Sequence, residues 1–192
     1  MRSEKKNCPA NDAAAPGPLD SPPEIFNDEY FMRAALREAE KAEINHEVPV
    51  GAVAVKDGMI VARAWNQVEL LRDATAHAEI LALTALSAQL GDWRLDGVTL
   101  YVTKEPCAMC AGALVNARVE RVVYGFSDPR SGCCGSALDV TGFPGMLHQV
   151  KVTGGILELE CAEQFKEFFR KVRSGELPKK TFSGQNPQGD FQ

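Results

Sequence analysis

Histidine is scarce in this chain, with three among 192 residues, so a metal site built mainly from imidazole is unavailable. The H-E-x-x-H pattern of zinc peptidases is missing with it. No apolar run approaches the roughly 20 residues that a helix needs to cross a bilayer, and the first 24 residues contain no apolar stretch of the secretory-signal kind. Positive charge is not in excess either. The formal net charge of −5 argues against a protein that coats nucleic acid indiscriminately, while leaving space for a local basic face. Such cations sit late in the chain, because residues 1–100 carry a net −6 and residues 101–192 a net +1. Six cysteines without a secretory signal fit reduced thiols in a cytoplasmic protein better than a disulfide framework.

What is present suits one compact α/β domain. A hydrophobic content of 45% over this length is enough for a sizeable core. Pro9, Pro16, Pro18, Pro22 and Pro23 amid small polar residues mark residues 1–24 as a disordered leader. The domain is expected over 25–175, and 176–192, with Pro178, Gly184, Pro187 and Gly189, as a flexible tail. Asn27 or Asp28 can cap a first helix whose inward stripe holds Met32, Ala35, Leu36, Ala39 and Ala42, with Arg33, Arg37, Glu40 and Lys41 outward. Val50 to Val55, the Asp57-Gly58 turn and Met59 to Ala64 give a hairpin. Thr75 offers the N-cap of an apolar helix through Leu90. A buried strand follows over 98–103, then a helix from Cys107 to about Ala117, strands over 119–126 and 149–153, and a closing helix over 158–173. Strands that alternate with helices imply a three-layer α/β/α sandwich around a mixed five-stranded sheet.

The chemistry concentrates in His77-Ala78-Glu79 and, thirty residues on, Pro106-Cys107-Ala108-Met109-Cys110. One imidazole and two thiolates can hold zinc with three protein ligands, leaving a tetrahedral position for water. Zinc lowers the pKa of such a water to roughly 7. Glu79 lies two residues from His77, close enough to exchange protons with that water without being a ligand. Attack on an amidine-like ring carbon needs a proton for the ring nitrogen and another for the departing amine, and one carboxyl group can carry both. The set points to hydrolytic deamination of a nucleobase. Two other readings remain beside it: a CxxC alone is commonly a structural zinc corner or a redox pair, and a closed zinc site would take a fourth ligand from Cys133, Cys134, His148 or Cys161. A carboxylate beside the His has no part in a closed site.

His-x-Glu followed by Pro-Cys-x-x-Cys resembles the zinc-dependent cytidine and deoxycytidylate deaminase superfamily. Glu47-Val48-Pro49-Val50-Gly51-Ala52, Trp65-Asn66, Thr75 to Ile80, Thr99 to Thr103, Met109 to Ala113 and Phe143-Pro144-Gly145-Met146 are similar, more narrowly, to the bacterial tRNA adenosine deaminases. The resemblance runs from about Glu29 to Arg173. It implies a cytidine deaminase-like fold, one zinc ion per subunit on His77, Cys107 and Cys110, Glu79 as the catalytic proton carrier, and conversion of adenosine to inosine at the wobble position of a tRNA anticodon. It also implies that Asn66 and the backbone near Ala76 hold the base, that Asp128 contacts the neighbouring nucleotide, and that Arg130 and the Phe168-Phe169-Arg170-Lys171 run meet the anticodon stem-loop. A homodimer belongs to the same expectation. Leu147 departs from the pattern, which commonly has Asn there.

Each of these residues also has a plainer reading. Asn66 and Asp128 suit turns, one of Phe168 and Phe169 must be core, and a Lys/Arg cluster at a helix end is often a solvated face. Two other functions share the motif: a deaminase of a guanine or cytosine base, nucleoside or nucleotide, which has no use for the basic groups, and a non-catalytic zinc-bearing RNA-binding module.

Overall fold

Residues 27–178 are described by the computed structural model of the chain. The expected leader and all but the first three residues of the expected tail lie outside the described residues. Asn27 has an extended backbone and its side chain accepts a hydrogen bond from the Tyr30 N–H at 3.0 Å, capping helix α1, Asp28–Ile44. Asp28 and Glu29 in the first turn face the positive end of the helix. The buried face holds Met32, Ala35, Ala39 and Ala42 as the periodicity predicts, is widened by Phe31, Ala34 and Glu38, and leaves Leu36 half-buried. It lies against strand β1, Gly51–Lys56, so closely that a Cβ on Gly51 would strike the main chain of Ala35 and Ala39. Glycine is required there by the approach of two backbones.

β1 turns into β2, Met59–Trp65, through Asp57 and Gly58 with φ of 50° and 72°, the left-handed pair that a tight hairpin demands. Short helix α2 spans Val68–Leu71 and helix α3 Ala78–Leu90. Strand β3, Thr99–Lys104, helix α4, Ala108–Asn116, strand β4, Arg121–Phe126, strand β5, Lys151–Thr153, and helix α5, Glu158–Ser174, complete the order. The sheet runs β2-β1-β3-β4-β5, with β1 antiparallel to β2 and β3, and β3, β4 and β5 parallel.

Alternate residues of each central strand serve opposite cores. Ala52, Ala54, Leu100, Val102 and Val122 pack under α3 and α4, whereas Val53, Val55, Tyr101 and Val123 pack under α1 and the start of α5. Strands buried on both faces require this near-continuous apolar composition, and the result is the three-layer sandwich expected.

Two helix starts differ from the sequence reading. Thr75 does not cap α3; its N–H and hydroxyl both donate to Asp73 Oδ1, at 2.8 and 2.7 Å, in a turn that ends before the helix. His77 takes the N-cap position of α3 and Cys107 that of α4. Helix α2 has no apolar periodicity to announce it.

Because β1 is antiparallel to its neighbours, the residues before it reach the same end of the sheet as those after β2, β3 and β4. The pairings Gly51 with Trp65, Ala52 with Val102 and Lys104 with Phe126 fix this. Glu47, Asn66, Cys107 and Asp128 therefore emerge together, outside the carboxyl ends of the parallel strands, where open α/β sheets place their ligands.

Candidate metal centre and substrate pocket

The starts of α3 and α4 bring one imidazole and two thiols together. His77 Nδ1 lies 3.7 Å from Cys107 Sγ and 3.5 Å from Cys110 Sγ, and the three donor atoms fall within 4.8 Å of one another. Zinc with metal–sulfur bonds near 2.3 Å and metal–nitrogen bonds near 2.1 Å gives tetrahedral N···S edges of about 3.6 Å, so the donor set fits that ion. The hydrogen bonds of Cys107 to Cys110 and His77 pull its pKa down to about 3. The same contact with Cys107, reinforced by burial, pushes the Cys110 thiol far up, and the Cys107 contact raises His77. A Cys107 thiolate thus sits between two donors that hold their protons, Cys110 and His77, and a bound cation would displace those protons.

Among the described residues, none of the alternative fourth ligands joins this cluster. Cys133 Sγ points to the Ser131 carbonyl at 3.5 Å, Cys161 is buried on α5 against Gly125, and His148 Nε2 sits 2.8 Å from the Val119 carbonyl. Cys134 is buried in the core beneath α3 and α4.

A cavity of about 320 Å³ opens over the donors, lined by His77, Cys107, Glu79, Asn66, Glu47 and Lys104 among others. Glu79 is 4% exposed, and burial raises its pKa, which favours the proton-bearing form of the carboxyl group. Asn66 is buried at the wall and donates from Nδ2 to Glu47 Oε2 at 3.2 Å. Ala76, adjacent to His77, is buried, its N–H donating to Asp73 O and its carbonyl accepting from Gln67 N; it does not line the cavity.

Asp128 lines neither cavity but binds Lys104 and Ser131, which line the first. Partial burial alone would raise its pKa, but the Lys104 ammonium at 2.7 Å, the Ser131 hydroxyl at 2.6 Å and the Arg130 N–H outweigh it and keep the carboxylate ionised. A second cavity, of about 340 Å³, is lined by Arg130, Phe165, Lys166, Phe169 and Arg173, and Phe165 lines both. Phe169 packs on Phe165 and Phe168, and Phe168 is the buried core residue of the pair. Arg170 pairs with Glu167 and Glu176, and Lys171 with Glu43, and neither lines the second cavity. Lys166 and Arg173 line the second cavity instead. Helical phase, not charge count, decides which cations face it.

Sequence reasoning missed Glu47, Lys104, Glu105 and Phe165. Glu105 is fully buried, and its carboxylate accepts from the N–H groups of Asp128, Cys134 and Ser136 at 2.9, 3.1 and 3.1 Å, so it folds the loop that carries Asp128 and Arg130. The signal available was an acid at the end of an apolar strand, directly before Pro106.

Three comparisons bear on this geometry. The family model for MafB19-like deaminases matches residues 26–173. The tRNA-specific adenosine deaminase of Bacillus subtilis is 49% identical over 149 residues, covering 78% of this chain and 92% of that protein. A solved structure from work on A-to-I editing by tRNA:A34 deaminases at the wobble position of transfer RNA is 44% identical with a TM-score of 0.68, covering 70% of this chain and 98% of its own. The guanine deaminase of Nitrosomonas europaea, 23% identical over 83% of this chain and 97% of that one, with a TM-score of 0.64, shares the fold.

Proposed function

The chain belongs to the MafB19-like deaminase family, and on that premise we propose that it is a tRNA-specific adenosine deaminase, converting adenosine to inosine at the wobble position of the anticodon. One observation carries the reading: the three-donor cluster, Glu79 and Asn66 share a cavity whose wall, Phe165, continues into one lined by three cations and two aromatic rings. Phosphates and unstacked bases of a single-stranded loop suit that second surface. A mononucleoside deaminase has no need of it.

His77, Cys107 and Cys110 would hold one zinc ion, which when bound supplies Lewis-acid activation of water near neutral pH. The reaction adds the water oxygen to C6 of the purine and breaks the C6–N6 bond, so that adenosine and water become inosine and ammonia. Glu79 takes one proton from the water and gives it to ring N1, then takes the second from the hydroxyl now on C6, as the C6 carbonyl forms, and gives it to the amine that departs as ammonia. Its burial keeps bulk water from competing for that proton. Asn66 holds the base from the cavity wall. Asp128, kept ionised by Lys104, offers an acceptor to the adjoining nucleotide, and Arg130 with Phe169 contacts the loop backbone and a base. The backbone at Ala76 acts by fixing the approach to His77. The target base must leave its stack, at about a few kcal/mol, less in an unpaired loop.

The same reading includes a homodimer, supported by apolar side chains left exposed beside the site at Leu70, Leu71 and Met109. It also includes residence in the cytoplasm, where the five free cysteines among the described residues stay reduced. No helix among those residues is long and apolar enough to cross a membrane. The test is inosine formation by the zinc-loaded protein on an anticodon stem-loop with adenosine at the wobble position, beside free adenosine, cytidine and guanine. Inosine confined to the stem-loop is expected. Conversion of a small compound alone would keep the metal chemistry and discard the RNA substrate.

A further inference from the structure

Glu47 has no part in the reaction as described, yet it is a carboxylate 1% exposed at the wall of the substrate cavity and outside the metal-donor cluster. Burying a carboxylate is tolerated only when its lone pairs are met. Here Leu70 N donates to Oε1 at 2.7 Å, and Glu69 N and Asn66 Nδ2 donate to Oε2 at 3.2 Å each. Two of these bonds anchor the first turn of α2. The third reaches the residue that faces the base.

An ionised carboxylate only accepts. Whatever atom of Asn66 faces Glu47 must therefore be the amide nitrogen, and chemistry fixes an orientation that amide shape alone leaves ambiguous. Among the described residues Asn66 Oδ1 is not a sealed, unpartnered atom; with Asn66 in the cavity wall and its nitrogen turned to Glu47, its oxygen is left for the ligand. We propose that Glu47 is a positioning residue that determines base specificity by locking the Asn66 amide, so that the cavity presents one fixed acceptor and one remaining N–H in a set order. A purine edge that pairs an amine donor with a ring-nitrogen acceptor matches such an order, and the carbonyl-bearing edge of guanine does not. This rests on Asn66 contacting the base, as in the function proposed above.

Glu47→Gln is nearly isosteric but removes the lock. Gln has one acceptor oxygen and one NH2 group for three N–H donors. Satisfying Leu70 N with the oxygen turns the NH2 toward Asn66, whose amide then flips and reverses donor and acceptor toward the base. The experiment measures turnover of the wobble adenosine stem-loop by wild type, E47Q, N66A and E47Q/N66A, with zinc content and melting temperature for each. Expected are a tenfold or greater loss of kcat/KM in E47Q and no further loss when E47Q is added to N66A, with zinc content unchanged. Losses that multiply in the double variant would overturn the proposal, since Glu47 would then act through α2 or stability and not through Asn66. If E47Q does not fold, Glu47→Asp, whose carboxylate is one methylene too short to hold Leu70 N and Asn66 Nδ2 together, enters the same cycle with the same two outcomes. If wild type turns over a small purine and not the stem-loop, the RNA assignment falls, and the cycle read on that purine still decides the Glu47 inference.

Discussion

Replacing Glu79 with Gln removes proton carriage while leaving shape almost untouched. The side chain is 4% exposed, so an isostere opens no cavity, and the donor cluster of His77, Cys107 and Cys110 does not include it. Metal binding should survive. A positioned acid–base group contributes roughly 10²–10⁴ in rate, and in the proposed reaction Glu79 serves two transfers, to ring N1 and to the leaving amine. A loss of about a thousandfold in kcat is therefore expected, which is about 4 kcal/mol of barrier at 1.36 kcal/mol per decade. The assay pairs single-turnover inosine formation with zinc stoichiometry by mass spectrometry and with stem-loop affinity. Retained zinc, retained affinity and lost turnover are the expected triple. Turnover within tenfold of the parent, with full zinc, would refute the proton-carrier role and move that task to another group or to solvent.

Two other perturbations probe separate parts of the molecule. Lys166→Ala with Arg173→Ala removes two of the three cations at the second cavity; against a single strand the slope of log K on log salt should flatten by roughly 1.4, at about 0.7 for each phosphate no longer neutralised. Titrating a labelled stem-loop at several salt concentrations measures it, and an unchanged slope would place the RNA path elsewhere. Asp28→Asn tests the anchor between α1 and the sheet, where the Arg121 guanidinium at 2.7 Å and the Tyr101 hydroxyl at 2.8 Å bind Asp28. Partial burial works against ionisation there, but those partners prevail and lower the Asp28 pKa. A depressed carboxylate pKa gives stability that is present above the unfolded value near 3.9 and lost as pH falls through the folded one. The variant should thus be less stable by about 1–2 kcal/mol at pH 7, allowing for screening of a partly exposed pair, and the gap should close below about pH 4. Urea unfolding at pH 7 and pH 3 reads both points; a gap independent of pH would exclude the ionic origin.

The donor set was legible in the sequence because its spacing is short-range: His77 and Glu79 share one helix start, and Cys107 and Cys110 another. The sheet was legible because both faces of each central strand are apolar and the Asp57-Gly58 turn is explicit. Long-range polar partners were not. Glu47 meets Asn66 across 19 residues, Glu105 meets Asp128 across 23, and Asp28 meets Arg121 across 93, and no local pattern encodes such pairings. The ion pairs of α5 were not legible either. Arg170 and Lys171 are adjacent in sequence, yet each turns toward an acid, Glu167 with Glu176 in one case and Glu43 in the other.

An acidic protein that takes an anionic substrate needs its negative charges disposed of near the site. Glu47, Glu69, Glu79 and Glu105 all line the first cavity, against the lysine Lys104, which on a bare count would repel RNA. The count misleads. Glu47 and Glu105 are buried in the wall, and each carboxylate accepts from three N–H donors. Glu79 is shifted toward its neutral form by burial, and Asp128 is compensated by Lys104. In the proposed function an approaching phosphate would meet Arg130, Lys166 and Arg173 around the second cavity, where exposed charge acts over a Debye length of about 8 Å. On that proposal the net −5 would disfavour loose contact elsewhere on the surface, while the three cations lining the second cavity would admit a loop whose phosphates align with them.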